Sequence, residues 1–244
     1  MFNINIPFYS IAIILSLFSN VIIVLLFSQK YKTFNNNEIV CLLLYENIGI
    51  IFGAKFLSFL LSYEKFNGQF KFLNVGLSSY GAIIGATLFL FIFSIQFKKN
   101  FKDIIFMFLP SMPLMYSIGK IGCFLAGCCY GIKYNGLGKI MYYYSNEAPN
   151  NIYLFPVQLI ESLIFLVIFL YLIRKQYTNK LTNKSFGICL IMCGISKFIM
   201  DFFRMNYSNT ILSVNKIISI FVIIVGIIIV IKNKANTKHF IERP

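Results

Sequence analysis

Apolar runs of about twenty residues recur from one end of the chain to the other, and the polar stretches between them are too short to fold by themselves. A helix needs roughly 20 such residues to cross a hydrocarbon core about 30 Å thick. Of the 244 residues, 58% are hydrophobic and 12% charged, a balance foreign to soluble domains. The chain therefore reads as all-α, one polytopic integral membrane domain over 1–244. Seven transmembrane helices are expected, at about 8–28, 39–62, 76–97, 104–121, 156–173, 186–204 and 212–231. The first run follows MFNINIPFYS, which has no basic segment, and no A-x-A cleavage signal comes after it, so it reads as an anchor.

A formal charge of +14 raises nucleic acid as a partner, but the placement of the charges excludes it. Segments 29–38, 98–103, 174–185 and 232–244 hold thirteen Lys or Arg, against four in the amino terminus and segments 63–75, 132–154 and 205–210. By the positive-inside rule the amino terminus lies outside and the carboxyl terminus in the cytoplasm. The five remaining cations, Lys55, Lys120, Lys197, Arg204 and Lys216, fall inside or at the edge of spans, and this orientation brings all five to the outer leaflet. Tyr9, Tyr80 and Glu161 open their spans at the same level. Lys197, Asp201 and Arg204 follow at i, i+4 and i+7, on one helical face.

Taken singly, each Lys near a helix end reads as snorkelling to the interface. Together, at roughly 2.5–3.5 kcal/mol per charge on insertion scales, they favour a shared hydrated cavity. The stretch GKIGCFLAGCCYG at 119–131 reads as a helix giving way to a loop that lines such a cavity and carries Lys120 and Cys123. Pro110 and Pro113 are expected to kink the same span. Six cysteines and one histidine, His239, make no zinc spacing, so neither metal nor cofactor is expected. Cys189 and Cys193 read as small packing residues, as do the cysteines of the glycine motif.

A cationic cavity open to the outer leaflet suits a phospholipid phosphate, with Lys as a point charge and Arg as a bidentate fork. The residues alone leave open whether that phosphate is only bound, as in a lipid-binding or transport protein, or is released in a reaction.

The ordered motifs IPFYS, GAK, SYGAIIGA, GKIGCFLAGCCYG, FPVQLIE, KFIMDFFR and LSVN resemble those of bacterial prolipoprotein diacylglyceryl transferases, seven-span enzymes of the plasma membrane. The resemblance implies an enzyme, a transferase. It would move diacylglyceryl from phosphatidylglycerol to the lipobox cysteine thiol of a prolipoprotein signal peptide, with release of glycerol phosphate. Its surroundings would be membrane lipids, and its site would face the outer leaflet of a bacterial inner membrane.

The resemblance also implies roles for individual residues. Lys120 falls on an Arg that contacts phosphatidylglycerol, and Gly119, Gly122, Gly127 and Gly131 on the glycines of the signature. Lys197, Asp201 and Arg204 fall on an Arg, Glu and Arg face. Gln158 and Glu161 match a His-Pro-x-Gln-x-x-Glu motif, and Tyr9 matches an aromatic near the start. Lys120, Arg204, Tyr80, Asp201 and Glu161 are the expected catalytic set; Lys197, Tyr9, Gln158, Lys55 and the four glycines join Lys120 in binding substrate. Tyr80 and Phe155 replace histidines, Cys123 an Asn and Cys128 an acidic residue. Because the positions nearest the chemistry have changed, a divergent paralogue with another acceptor stands beside the transferase reading.

Overall fold

The computed structural model describes residues 8–30, 34–62, 76–205 and 213–241, with side chains to 232. Loops 63–75 and 206–212, the amino-terminal MFNINIP and the side chain of His239 lie outside the described residues. The helices are α1 (Phe8–Ser28), α2 (Asn36–Ser62), α3 (Ser79–Gln96), α4 (Phe101–Phe108), α5 (Ser111–Ala126), α6 (Val157–Tyr177), α7 (Asn183–Phe202) and α8 (Val214–Ile241). Strands β1 (Ile140–Met141) and β2 (Tyr153–Leu154) pair antiparallel between α5 and α6. Among the described residues seven helical segments are long and apolar enough to cross a membrane, with α4 and α5 together forming the fourth. The chain is a multi-pass membrane protein. Leu15, Phe18, Leu60, Ile95, Leu163 and Phe221 are exposed on its spans, as lipid-facing side chains are.

Two prolines divide the fourth span. Pro110 has no N–H for an i to i−4 bond and its ring collides with the preceding turn, so α4 stops at Phe108. Pro113 falls in the first turn of α5, where an N–H would have no intrahelical partner. One expectation is corrected here. Lys120 and Cys123 stand on α5, which continues through Gly119 and Gly122 to Ala126, and not on a loop. A lipid-embedded backbone must bond internally, and that outweighs the roughly 1 kcal/mol cost of each helical glycine. Only Gly127, with φ 75°, ends the helix: its N–H bonds to Phe124 and that of Cys128 to Cys123.

The chain divides into two compact units. The unit Val21–Phe108 holds the end of α1 with α2, α3 and α4. Its core is Val24, Leu42, Leu90, Phe93, Ile104, Met107 and Phe108, all essentially buried. Gly49 and Gly53 of α2 face Gly81 and Gly85 of α3 so closely that a Cβ at Gly53 would stand 2.7 Å from the Gly85 Cα. Small residues let two membrane helices approach to backbone contact, where dispersion replaces the hydrophobic driving force that lipid removes.

The unit Met1–Asn20 plus Leu109–Pro244 holds the start of α1, α5 to α8 and the strands. Helices α7 and α8 meet at Gly187 and Gly226, and α5 joins α6 through Ser117 and Ser162, whose hydroxyls are 2.9 Å apart. Lys216, fully buried on α8, places its ammonium 3.7 Å from the Phe202 ring centre.

Gly85→Leu should force α2 and α3 apart and lower thermal stability in detergent by about 1–3 kcal/mol. Gly76→Ala, where a Cβ meets nothing within 4 Å, should leave the melting temperature unchanged.

Candidate functional site

In the second unit described, α5 and the residues just after α7 aim charges at one carboxylate on α6. Glu161, in the second turn of α6, is wholly buried. Its Oε2 accepts from Lys120 Nζ of α5 at 2.7 Å and from the Arg204 guanidinium. Its Oε1 accepts from the Tyr116 hydroxyl at 3.0 Å. Arg204 Nη1 also lies 3.3 Å from Asp201 Oδ1, an ion pair without hydrogen-bond alignment. The face of Tyr116 is shared by two cations, Lys120 Nζ at 5.2 Å from its centre and Lys197 Nζ at 4.6 Å. Cations gain from an aromatic face most where water is excluded.

The charges decide what this cluster can receive. Lys120, Lys197 and Arg204 face Glu161 and Asp201, three cations against two carboxylates, leaving one net positive charge in a buried setting. Both carboxylate oxygens of Asp201, Nε of Arg204 and Oε1 of Gln158 are buried with no hydrogen-bond partner among the described residues. Buried polar atoms are bonded in the great majority of cases: Arg204 Nε, the one donor among these four, suits an anion, whereas the three acceptors call for hydroxyl or N–H donors on the same ligand.

Arg204 is positioned by its backbone. The sequence places it on the face of the sixth span, but α7 ends at Phe202, and this is a second correction. Gly131 and Arg204 form a β-bridge, Ile132 N–H bonds to Phe203 O at 2.9 Å, and Phe155 N–H to Ile132 O at 2.9 Å. A Cβ at Gly131 would overlap the Phe155 carbonyl. That glycine therefore lets the segment after α5 lie against both the end of α7 and the entry to α6. Gln158 adds a second tie, donating from Nε2 to the Cys128 carbonyl at 2.9 Å.

Of the expected site residues, Lys120, Glu161, Asp201 and Arg204 meet directly, and Lys197 joins them through Tyr116. Gln158 and Gly131 hold the adjoining loop. Tyr9 is half-buried in the first turn of α1, and a Cβ at Gly122 would stand 3.7 Å from its Cα. A Cβ at Gly119 meets nothing within 4 Å, whereas Gly127 is required by its left-handed turn. Tyr80, buried on α3, and Lys55, half-buried on α2, belong to the other unit.

Two features were missed from the sequence. Tyr116 lies one turn before Lys120, a signal that was available. The second is a group of thiols. Cys123 stands in the last turn of α5, Gly127 turns the chain, and Cys129 takes a left-handed φ of 55°, so the Sγ atoms of Cys123, Cys128 and Cys129 all lie within 4.8 Å of one another. Hydrogen bonds from the other two thiols, then the charges of Lys120 and Arg204, pull the Cys129 thiol well below its ordinary pKa.

A sequence profile described as prolipoprotein diacylglyceryl transferase matches residues 1–232. The chain is similar to the phosphatidylglycerol–prolipoprotein diacylglyceryl transferase of Clostridium tetani, 30% identical over 237 residues and 94% of each chain. It is also similar to the protein named phosphatidylglycerol–prolipoprotein diacylglyceryl transferase 2 in Clostridium perfringens, 32% identical over 167 residues, 68% of this chain and 65% of that one. A Chlorobaculum tepidum transferase of the same name is 32% identical over 145 residues, 57% of this chain and 47% of its own. With a profile match of that extent and a relative aligned nearly end to end, the chain belongs to the prolipoprotein diacylglyceryl transferase family.

Proposed function

We propose that the protein transfers the diacylglyceryl group of phosphatidylglycerol to the lipobox cysteine thiol of a prolipoprotein. The observation that carries this reading is the shared carboxylate: Glu161 holds Lys120 and Arg204 together, and with Asp201 against Arg204 and Lys197 over the same Tyr116 ring the cluster has three cations to two carboxylates. A phosphodiester carries one negative charge, so it completes the balance of the cluster. The thiolate sulfur attacks the glyceryl carbon that bears the phosphate ester oxygen. A C–S bond forms, the C–O bond breaks, and its electron pair leaves with glycerol phosphate. Lys120 and Arg204 neutralise the charge that develops on that oxygen, which is the larger part of the catalysis available to a preorganised ionic site. Glu161 and Asp201 hold the cations in place, and Lys197 adds its charge across the Tyr116 ring.

Gln158, Gly127 and Gly131 shape the loop beside the phosphate, and Tyr9, Gly119 and Gly122 form the lipid-side approach. In this reading residues 132–154 face the exterior, the site opens to the outer leaflet of a bacterial plasma membrane, and the carboxyl terminus is cytoplasmic. Residues 1–244 act as one integral membrane domain. The thirteen cations on alternate loops support that orientation.

Expression of the gene in cells depleted of their own transferase should restore lipidated prolipoprotein; failure to do so from well-expressed protein would overturn the reading. Lys120→Ala should lower glycerol phosphate release by about 10²–10³-fold. Lys120→Arg, which keeps the charge, should retain it.

Glu161→Gln should cost about 3–5 kcal/mol of stability, because two buried cations then face each other without a counter-charge. Thermal unfolding in detergent checks this. An impermeant thiol reagent on intact cells, read by mass spectrometry of the labelled peptide, should modify Tyr144→Cys and spare Lys98→Cys.

A further inference from the structure

Cys123, Cys128 and Cys129 come from a spacing, C-x4-C-C, that belongs to no familiar zinc motif, yet the fold brings them to one point. Cys123 is buried, Cys128 half-buried and Cys129 exposed, and all three are free thiols. Their sulfurs lie within 4.8 Å of one another. Three thiolates around a zinc ion at about 2.3 Å stand roughly 3.8 Å apart, so side-chain shifts of under about 1 Å close the set. The other cysteine pair, Cys189 and Cys193 at 3.9 Å on α7, offers two ligands and no third among the described residues.

The group also sits where a thiol-directed function is useful. The Cys128 carbonyl accepts from Gln158, three residues before Glu161 on α6, and Gly131 bridges Arg204. The ligand-bearing turn is thus held at both ends by residues adjoining the ionic cluster. Transfer to a thiol needs that thiol as thiolate, and the one imidazole of the chain, His239, lies in the carboxyl-terminal tail. Histidine is absent from the whole segment that carries the cluster.

We propose that Cys123, Cys128 and Cys129 form a three-thiolate site for a thiophilic divalent cation of the zinc class, with its fourth position taken by the acceptor thiol. The second half rests on the transferase reading; the metal site does not. Three soft protein ligands with one position open is the arrangement of a reactive metal centre, whereas structural sites use four. On loading, the three cysteine protons leave to solvent, and the acceptor thiol also releases its proton to solvent as its sulfur binds. In transfer the metal–sulfur bond breaks as that sulfur forms its bond to the glyceryl carbon, and the departing C–O pair leaves with glycerol phosphate.

The test uses the full chain, reduced and stripped of metal in detergent, titrated with Co2+ and followed by its thiolate charge-transfer and ligand-field bands. One equivalent should bind. Cys129→Ser, an exposed position, should weaken binding by about a hundredfold or more, and Cys193→Ser should leave it unchanged. Adding a lipobox peptide should shift the ligand-field bands, and the same peptide with Ser for Cys should not.

Absence of a charge-transfer band, or a band that survives replacement of all three cysteines, overturns the site. A normal band that the cysteine peptide leaves unmoved overturns the acceptor role. Glycerol phosphate release, measured on the same preparations, reports on the transferase reading separately: release that persists undiminished without metal overturns the acceptor role and leaves that reading standing.

Discussion

A charge that cannot reach water inside a membrane must find its opposite, and the candidate site is organised by that need. Glu161 is the only acidic side chain of α6, and it is fully buried. It is tolerable there because Lys120 arrives from α5, Arg204 from the end of α7, and Tyr116 donates to its second oxygen. Desolvating these ions costs several kcal/mol each, which the pairing offsets only when the geometry is good. The cluster thus fixes how α5, α6 and the end of α7 stand relative to one another. In the proposed reading its residual positive charge receives the lipid phosphate.

The short segment between α5 and α6 converts that local balance into a site. Gly127 ends α5 in a left-handed turn, Gly131 lets the chain pass against the Phe155 carbonyl, and the bridge to Arg204 carries α7 into the same layer. The backbone that orients Arg204 therefore also presents the Cys128 and Cys129 thiols. One irregular stretch serves the phosphate side and the thiol side of the proposed transfer. Irregular backbone near membrane depth is tolerated where protein covers it, and Gln158 and Tyr142 supply that cover by bonding the Cys128 and Phe124 carbonyls.

Most of the architecture was legible in the sequence because the membrane leaves few alternatives. Twenty-residue apolar runs gave seven spans, and Pro110 located the break in the fourth. Depth and helical spacing grouped Lys55, Lys120, Lys197, Arg204 and Lys216 with Glu161 and Asp201, and of these Lys120, Glu161, Asp201 and Arg204 pair directly. Other features depended on pairings that no spacing encodes. Glycines at 119 and 122 looked like a loop but sit within α5, since helical hydrogen bonding in lipid outweighs glycine's entropy. Arg204 looked helical but is drawn off α7 by its bridge to Gly131. The three cysteines met only because the turn at Gly127 folds Cys128 and Cys129 back over Cys123, a relation invisible to a search for C-x-x-C.

The central claim is that the cations gathered around Glu161 hold the phosphate of a phospholipid. It is tested most directly by a solid-state magnetic-resonance distance between phosphatidylglycerol phosphorus and side-chain nitrogen, on protein in bilayers with 15N-labelled lysine and arginine. The account predicts dipolar coupling at hydrogen-bonding range from Lys120 and Arg204, assigned by the loss of each signal in Lys120→Ala and Arg204→Ala. Coupling confined to the loop lysines, with Lys120 and Arg204 silent in protein that retains bound lipid, would contradict it.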